Sequence, residues 1–429
     1  MKKLFPILLL FVPFAIYAQE DTIRFTLPQC IQYAFSNSYD RQSMELNESS
    51  QRESVRGAKL QYAPSISASV GENLNHSGNE EVRFGGSANL NANISIYNPS
   101  TAYNVTTQEL QLERTKYQTA QYDQNLRIQI IQEYVTIIGE MELIKYQEKI
   151  ASTSEQQLSE GEKKYRLGSI LESDYLLLDA QHQTNLTNLV DSRNSLANSL
   201  LQLKVLMSMD PTKNLAVTKP EDEFIVGMRN LPSLEYAIEQ GLVNMPDMKL
   251  TEASLDIARH QVKASKAGYI PSIGASASIG TSHSNFENFG EQLKNSFSQS
   301  FGINLSIPIY DKSQTETNVR KAKISLQQAE LDKDQMELEI RNTMVQSYLN
   351  CQTAIASFDA TTKKYQAWQK TLDAYNEKFR LGAITTVDLL QQENNYIAAL
   401  NDYIQAKYRF LLQRSILSVY MGETQLPIE

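Results

Sequence analysis

The sequence holds few of the residues from which most enzyme and metal sites are built. Its 429 residues include two cysteines, four histidines and one tryptophan. The histidines never fall at metal-ligand spacing, so we interpret all four as surface polar residues: His76, His182, His260 and His283. We find no nucleophile elbow, no phosphate-binding glycine loop and no histidine with a recurring acidic partner. The sequence therefore argues against an enzyme and predicts neither a cofactor nor a metal.

The two cysteines, Cys30 and Cys351, lie far apart and at non-equivalent places in the two halves of the chain. A disulfide is chemically allowed in an oxidising compartment. We expect instead two unrelated small apolar residues, because nothing in their spacing pairs them.

Long apolar runs are also scarce after the N-terminus. Residues 1–18 have the pattern of a secretory signal, with two lysines, an apolar run and then Ala18. Gln19 follows in place of cysteine, so we expect no lipid on the mature N-terminus. No later segment reaches the roughly 20 apolar residues of a membrane-spanning helix. An exported chain of this kind that enters a membrane must do so as a closed β-barrel.

Basic residues are outnumbered as well. Without the signal the chain has 38 basic and 49 acidic residues, a formal net charge of −11. Such an excess disfavours a nucleic-acid partner and broad electrostatic binding to anionic lipid.

One motif occurs twice, 214 residues apart. Lys163 to Asp174 reads KKYRLGSILESD, and Glu377 to Asp388 reads EKFRLGAITTVD. Long helical patterns precede and follow each copy, and Gly168 and Gly382 can adopt the positive φ found after a helix end. Each copy is therefore predicted to be the turn at the tip of a helical hairpin, and the chain is predicted to be a tandem duplication.

Two matched segments switch from helical to alternating periodicity. Pro64 and Pro271, each in a Tyr-x-Pro-Ser-Ile sequence, disfavour helix in the preceding residue. We predict β-hairpins over 65–97 and 272–310, with surface loops between the strands. The four strands of about ten residues have one aliphatic face and one serine- and asparagine-rich face, as in membrane-spanning strands. An ordinary soluble sheet with one wet face gives the same alternation.

Four tyrosines occupy the strand ends away from these loops. In a membrane they would lie at one rim, as amphipathic rings do, although packing at helix–strand junctions also explains each one alone. This predicted interface girdle consists of Tyr62, Tyr97, Tyr269 and Tyr310.

The longest proline-free segments are 100–167 and 314–381. Each is long enough for a helix of roughly 100 Å. Apolar residues recur every seven positions, which predicts coiled-coil packing: Ile130, Ile137, Ile144, Ala151 and Leu158 in the first half, and Ile324, Leu331, Leu338 and Val345 in the second. The predicted organisation is a first repeat over 19–209 with return helix 171–209, a linker over 210–230, and a second repeat over 231–429 with return helix 385–421.

This order of elements resembles the TolC-type outer-membrane efflux family over nearly the whole mature chain. The two tips, Tyr165-Arg166-Leu167-Gly168 and Phe379-Arg380-Leu381-Gly382, are the most specific parts of the resemblance. It implies a mixed α and β fold, in which a homotrimer completes a 12-stranded transmembrane β-barrel with four strands per protomer and a long α-helical coiled-coil barrel. It also implies two further partners, a periplasmic adaptor and an inner-membrane transporter.

The resemblance assigns roles to residues at and beyond the tips. The adaptor-docking residues are Arg166, Leu167, Gly168, Arg380, Leu381 and Gly382. Asp388 falls where the family has an aspartate in the narrowest part of the tube, where three like charges would raise one another's pKa and attract cations. The family's second constriction aspartate is Gln391 here, and its latching tip arginine falls on Ile384, so this chain lacks the arginine that would latch to Asp174. Asp174 can equally be a helix cap.

The resemblance implies an exit duct of a tripartite efflux or type I secretion system in the outer membrane, with a long periplasmic extension. The alternative is a soluble periplasmic coiled-coil scaffold or adaptor, which can also combine a signal, helical hairpins and β-segments. Four strands with hardly a charge on either face favour the duct.

Overall fold

The computed structural model describes residues 23–76, 78, 83–219, 229–285 and 287–423. The predicted signal at 1–18 and most of the second half of the predicted linker lie outside the described residues.

The chain runs through the same order of elements twice, with one additional short helix in the second pass. The first pass comprises β1 (Ile23–Phe25), α1 (Leu27–Asn37), α2 (Tyr39–Leu60), β2 (Ser65–Asn75), β3 (Arg83–Tyr97), α3 (Pro99–Arg166) and α4 (Glu172–Leu206). The second comprises β4 (Leu215–Val217), α5 (Leu234–Asn244), α6 (Pro246–Ser265), β5 (Ser272–His283), α7 (Phe289–Asn295), β6 (Ser298–Ser306), α8 (Gln314–Arg380) and α9 (Thr386–Met421). Within the described residues, no helix is long and apolar enough to cross a membrane.

Local signals explain where the helices begin. The α1 helix starts with Pro28 in its first turn, and the Gln29 side chain accepts a hydrogen bond from the Thr26 N–H at 2.9 Å. Ser38 separates α1 from α2 and caps α2 by accepting from the Arg41 N–H. Asn98 caps α3, and Pro99 occupies its first position.

The strands form one antiparallel sheet in the order β2-β3-β5-β6. Its register brings like residues together across all four strands, as in the apolar row Ile66, Ala92, Ala277 and Phe301 and the polar row Ser67, Asn91, Ser278 and Ser300. One face is therefore largely aliphatic, apart from Glu72 and His283 near the end away from the helices, and the other is built mainly of serine, asparagine and glycine. Both outer strands, β2 and β6, leave an unpaired edge within the chain.

The second hairpin differs from the predicted one in two places. The strand β6 ends at Ser306, whereas the sequence alternation continues through Ile307 and Ile309. Its partner β5 begins only at Ser272, opposite Ser306, so the chain offers nothing further to pair with. The segment predicted as a loop between the strands contains the short helix α7.

A second, two-stranded sheet was missed by the sequence analysis. Its strands β1 and β4 pair in parallel, with Ile23 opposite Leu215 and Phe25 opposite Val217. Three-residue strands carry too little periodicity to be recognised. This sheet covers the main core, which α1, α3, α4 and α9 build around fully buried residues such as Tyr134, Leu203 and Phe410.

The two predicted heptad stripes behave differently. In α3, Ile130, Ile137 and Ala151 are buried within the chain. In α8, Ile324, Leu331 and Leu338 are exposed. The prediction that this second stripe is packed does not hold within one chain.

Candidate functional site: the hairpin tips and the sheet

Both duplicated tips have the same backbone geometry. After α3 the Gly168 N–H donates to the Tyr165 carbonyl at 2.8 Å and the Ser169 N–H to the Lys164 carbonyl at 2.8 Å. After α8 the same two bonds join Gly382 to Phe379 and Ala383 to Lys378. These paired bonds form a Schellman motif, which requires a left-handed residue after the helix end. Gly168 has φ +71° and Gly382 has φ +74°, so glycine is needed at both positions.

The two tips lie side by side and contact one another. The Lys164 ammonium donates to the Phe379 carbonyl at 2.7 Å and lies 4.2 Å from the centre of the Phe379 ring. Further along, the Gln157 amide donates to Asn376 at 3.0 Å. Beneath the turns, Leu178 and Leu389 pack with Phe379 in a small apolar cluster. These contacts tie the first hairpin to the second.

The residues assigned to adaptor docking face solvent. Arg166 pairs with Glu162 at 2.5 Å, and Arg380 pairs with Glu377 at 2.6 Å, both within their own helices. Hydrogen bonding from Arg380 holds the pKa of the Glu377 carboxyl below its usual value. Both tip leucines, Leu167 and Leu381, are exposed beside these arginines. The tip surface therefore presents two guanidinium groups and two isobutyl groups.

The residues assigned to the constriction lie at the starts of the return helices. Asp388 forms a capping box with Thr385, whose hydroxyl lies 2.7 Å from the carboxylate and whose N–H donates to it at 3.2 Å. These bonds lower the pKa of Asp388 within the single chain. That direction is opposite to the shift expected from three neighbouring carboxylates. Gln391 is exposed one turn further along α9.

At the first tip, Asp174 accepts a hydrogen bond from the Leu171 N–H at 3.3 Å, which is the capping role that the sequence left open. Ile384, which stands at the family's arginine position, packs against the apolar cluster beneath the tips. It adds apolar contact there and offers no charge to a latch.

The four girdle tyrosines are exposed at the helical end of the sheet. The two in the first repeat flank β2 and β3, and the two in the second flank β5 and β6: Tyr62, Tyr97, Tyr269 and Tyr310.

One histidine contradicts the interpretation of all four as surface residues. His283 is buried at the far end of β5, and its ring lies 3.0 Å from the Glu72 carboxylate and 3.2 Å from the Asn285 carbonyl. The pairing joins two strands that are distant in sequence, so spacing could not reveal it.

Both cysteines are buried and free. Burial raises the pKa of the Cys30 thiol to about 12 and that of Cys351 to about 11. They occupy separate apolar clusters, as expected for unrelated small apolar residues.

A buried ionic cluster at mid-length was not predicted. Glu142 of α3 accepts from Lys407 of α9 at 2.9 Å, from Lys219 after β4 at 2.7 Å and from the Tyr408 hydroxyl at 2.5 Å. Burial by itself raises the pKa of Glu142, but these donors outweigh it and the pKa is lowered. The sequence did contain one indication of this cluster. Glu142 lies four places after Ile138 in a stripe of buried apolar residues, where a charged residue needs a partner.

A second buried carboxyl lies between this cluster and the tips. Glu393 of α9 accepts from Asn185 of α4 at 3.1 Å, and one of its oxygens is buried without a partner. Burial raises the pKa of Glu393.

Comparison with known proteins agrees with this geometry. A family model described as "Outer membrane efflux protein" matches residues 237–423. The outer membrane efflux protein BepC of Brucella suis biovar 1 is 23% identical over 386 residues, which are 89% of this chain and 82% of BepC. The outer membrane protein TolC of Escherichia coli K12 is 23% identical over 78% of this chain and 69% of its own length.

Among solved structures, one of CusC, whose title concerns folding and transmembrane channel formation, superimposes with a TM-score of 0.79. It covers 92% of this chain and 91% of its own length at 17% identity. The helical hairpins, the two-faced sheet and the tips thus share the fold of this outer-membrane channel. The chain is similar to the TolC-type outer-membrane efflux proteins.

Proposed function

We propose that three copies of this chain form a closed ring that serves as the exit duct of a tripartite efflux or type I secretion system. The duct conducts its substrates passively from a periplasmic tunnel to the cell exterior. It opens at the tips when an adaptor and an inner-membrane transporter dock there. The observation that carries the proposal is the four-stranded sheet, which has one largely aliphatic face, one polar face with hardly a charge, and two unpaired edges.

The physical argument starts from the edges of that sheet. In hydrocarbon, each unpaired backbone N–H or C=O costs several kcal/mol, so β2 and β6 must find partners. Since β2 and β6 run in opposite directions, β6 of one copy can pair antiparallel with β2 of the next. Three copies supply 12 strands, enough to enclose water inside a polar wall. The aliphatic face then contacts lipid, and the four tyrosines of the girdle lie at its periplasmic rim.

The helices support the same arrangement below the membrane. At about 1.5 Å per residue, α3 and α8 extend roughly 100 Å from the sheet to the tips. The exposed arginines and leucines of the tips are where the adaptor docks. Asp388 and Gln391 line the constriction just beyond, with Asp174 at the equivalent point of the first repeat.

The first experiment is the native mass of the protein after extraction from membranes. A trimer that requires detergent supports the duct. A monomer or dimer that appears in the absence of detergent means that the strands do not meet lipid, and a soluble periplasmic scaffold then replaces the duct as the function.

Two variants test the assigned residues. Asp388→Ala should weaken the block of single-channel current by multivalent cations, because it removes three carboxylates from one ring. Unchanged block removes Asp388 from the constriction.

Gly168→Pro should leave trimers intact but abolish efflux, because proline cannot adopt φ +71° and loses the N–H that bonds to Tyr165. Gly168→Ala is the graded comparison: its β-carbon meets nothing within 4 Å and its N–H is kept, so it adds only the strain of an L residue at φ +71° and should reduce efflux less than Gly168→Pro. Drug sensitivity unchanged by Gly168→Pro argues against docking at the tip.

A further inference from the structure

The two repeats within one chain contact each other through a polar pair. On α3, the Gln121 amide donates to the carboxylate of Asp247 on α6, and both residues are half-buried. The four helices next to the sheet lie in the order α2, α3, α6, α8, so this pair joins the second of them, from the first repeat, to the third, from the second repeat. The chain itself thus provides a template for contact between repeats.

A glutamine and an aspartate also occupy the equivalent positions in the two outer helices, α8 and α2. Alignment of Asn104-Val105 with Asn318-Val319 places α3 residues 214 positions before their α8 equivalents. Alignment of Tyr62-Ala63-Pro64 with Tyr269-Ile270-Pro271 places α2 residues 207 positions before their α6 equivalents. Gln121 then corresponds to Gln335 of α8, and Asp247 to Asp40 of α2. Both residue types are retained.

Within one chain this second pair cannot form, because α2 and α8 are the two outer helices of the row. Asp40 and Gln335 are both exposed, and Gln335 only donates to Glu339 of its own helix at 2.8 Å. An aspartate in the first turn of a helix has a local explanation. Gln335 stands at the matching place on the outer face of α8, where it contacts only a side chain of its own helix.

Side-chain exposure identifies the face of α2 that lacks a neighbour. Leu46 is 70% exposed, whereas its equivalent Ala253 in α6 is 7% exposed. Leu60 is 58% exposed, whereas its equivalent Ala267 is 4% exposed. The larger apolar residue stands at the exposed position in both cases, which indicates a surface that is covered by another molecule.

The outer face of α8 complements it. The exposed residues Leu331 and Leu338 flank Gln335 on the same side of the helix. Two antiparallel helices aligned at Asp40 and Gln335 bring Leu46 to within one turn of Leu331, and Tyr39 to within one turn of Leu338.

We infer that α8 of one copy packs antiparallel against α2 of a second copy of this chain, with the Gln335 amide donating to Asp40 as Gln121 donates to Asp247 within the chain. This interface rests on the proposed ring and defines its register. In a heterologous interface of this kind each copy uses both surfaces, so the contact closes around the ring.

A matching equivalence in the sheet accounts for the early end of β6: alignment of Tyr97 with Tyr310 places β3 residues 213 positions before their β6 equivalents, and β2 residues again precede those of β5 by 207. Within the chain Asn93 lies opposite Ser276 and Ile94 opposite Ala275. The equivalent positions place Ser306 opposite Ser69 of the next copy and Ile307 opposite its Ala68. The apolar alternation that continues beyond β6 therefore has a partner only in the assembled ring.

Cysteine substitution and a bismaleimide with a spacer of about 8 Å test the register. In membranes, Asp40→Cys with Gln335→Cys should give covalent dimers and trimers on denaturing gels. Lys321→Cys replaces Gln335→Cys in the off-register control, because Lys321 is exposed and lies about 21 Å nearer the sheet along α8. Gln121→Cys with Asp247→Cys should react within one chain and give no dimers.

We expect the in-register pair to yield at least about tenfold more dimer than the off-register pair, since only the former brings the thiols within reach of the spacer. Equal yields in a protein that still has trimeric mass in detergent overturn this register and leave the duct standing. A protein that is monomeric in detergent overturns both the register and the proposed function.

Discussion

Replacement of Lys407 by methionine tests the buried cluster that joins α3, α9 and the segment after β4. The substitution keeps most of the side-chain volume but removes the charge that lies 2.9 Å from both oxygens of Glu142. Loss of one partner from a buried ion pair costs about 3–5 kcal/mol. Glu142 retains Lys219 and Tyr408, so we expect about 3 kcal/mol, the lower end of that range.

The effect should be local. Lys219 directly follows the β1–β4 sheet, and the Thr218 N–H donates to the Phe25 carbonyl at 3.1 Å. Amide hydrogen exchange of 23–25 and 215–218 therefore reports on the cluster. A loss of about 3 kcal/mol corresponds to roughly 100-fold faster exchange through local opening.

Lys364→Met is the matched control. Its ion pair with Asp402 has the same 2.8–2.9 Å separation, but both side chains are about half exposed. Exposed pairs contribute less than about 1 kcal/mol, so exchange should change by less than roughly fivefold. Adding Glu142→Gln to Lys407→Met should restore most of the protection, because it removes the uncompensated buried charge. If Lys407→Met accelerates exchange no more than Lys364→Met, the cluster does not hold this sheet in place.

Glu393→Gln should raise the melting temperature at pH 8 but not near pH 4. Burial raises the folded-state pKa of Glu393, so the ionised carboxylate present at pH 8 destabilises the fold, whereas the protonated form present near pH 4 does not. Equal melting shifts at both pH values would contradict this. Ser208→Gly should raise the free energy of unfolding by about 1 kcal/mol in denaturant titrations, because Ser208 has φ +52° just after α4, and the equivalent left-handed position after α9 is a glycine, Gly422. An unchanged free energy of unfolding would contradict the strain assigned to Ser208. Cys30 and Cys351 should label with maleimide only after denaturation, because both thiols are fully buried with raised pKa values; mass spectrometry of the native protein that finds either one modified would refute this.

Features with a local sequence signal were predicted well. Gly168 and Gly382 adopt the positive φ expected from their place after a helix, and the strands begin just after Pro64 and Pro271. The family resemblance and the outer-membrane function are confirmed by the relatives.

Features that depend on residues distant in sequence were not predicted. Glu142 and Lys407 are 265 positions apart, and neither lies in a recognisable motif. His283 was assigned to the surface because its partner Glu72 is on another strand. The roles of the tip and constriction residues remain predictions, since they concern surfaces that only other molecules complete.

The position of the ionic cluster along α3 has a mechanical consequence. The helix continues for 24 residues from Glu142 to Arg166, which is a rigid arm of about 36 Å. A tilt of about 5° at the cluster would sweep the end of this arm sideways by roughly 3 Å. In the proposed ring, small rotations at this point would therefore widen or narrow the aperture between neighbouring arms while every helix keeps its internal hydrogen bonds.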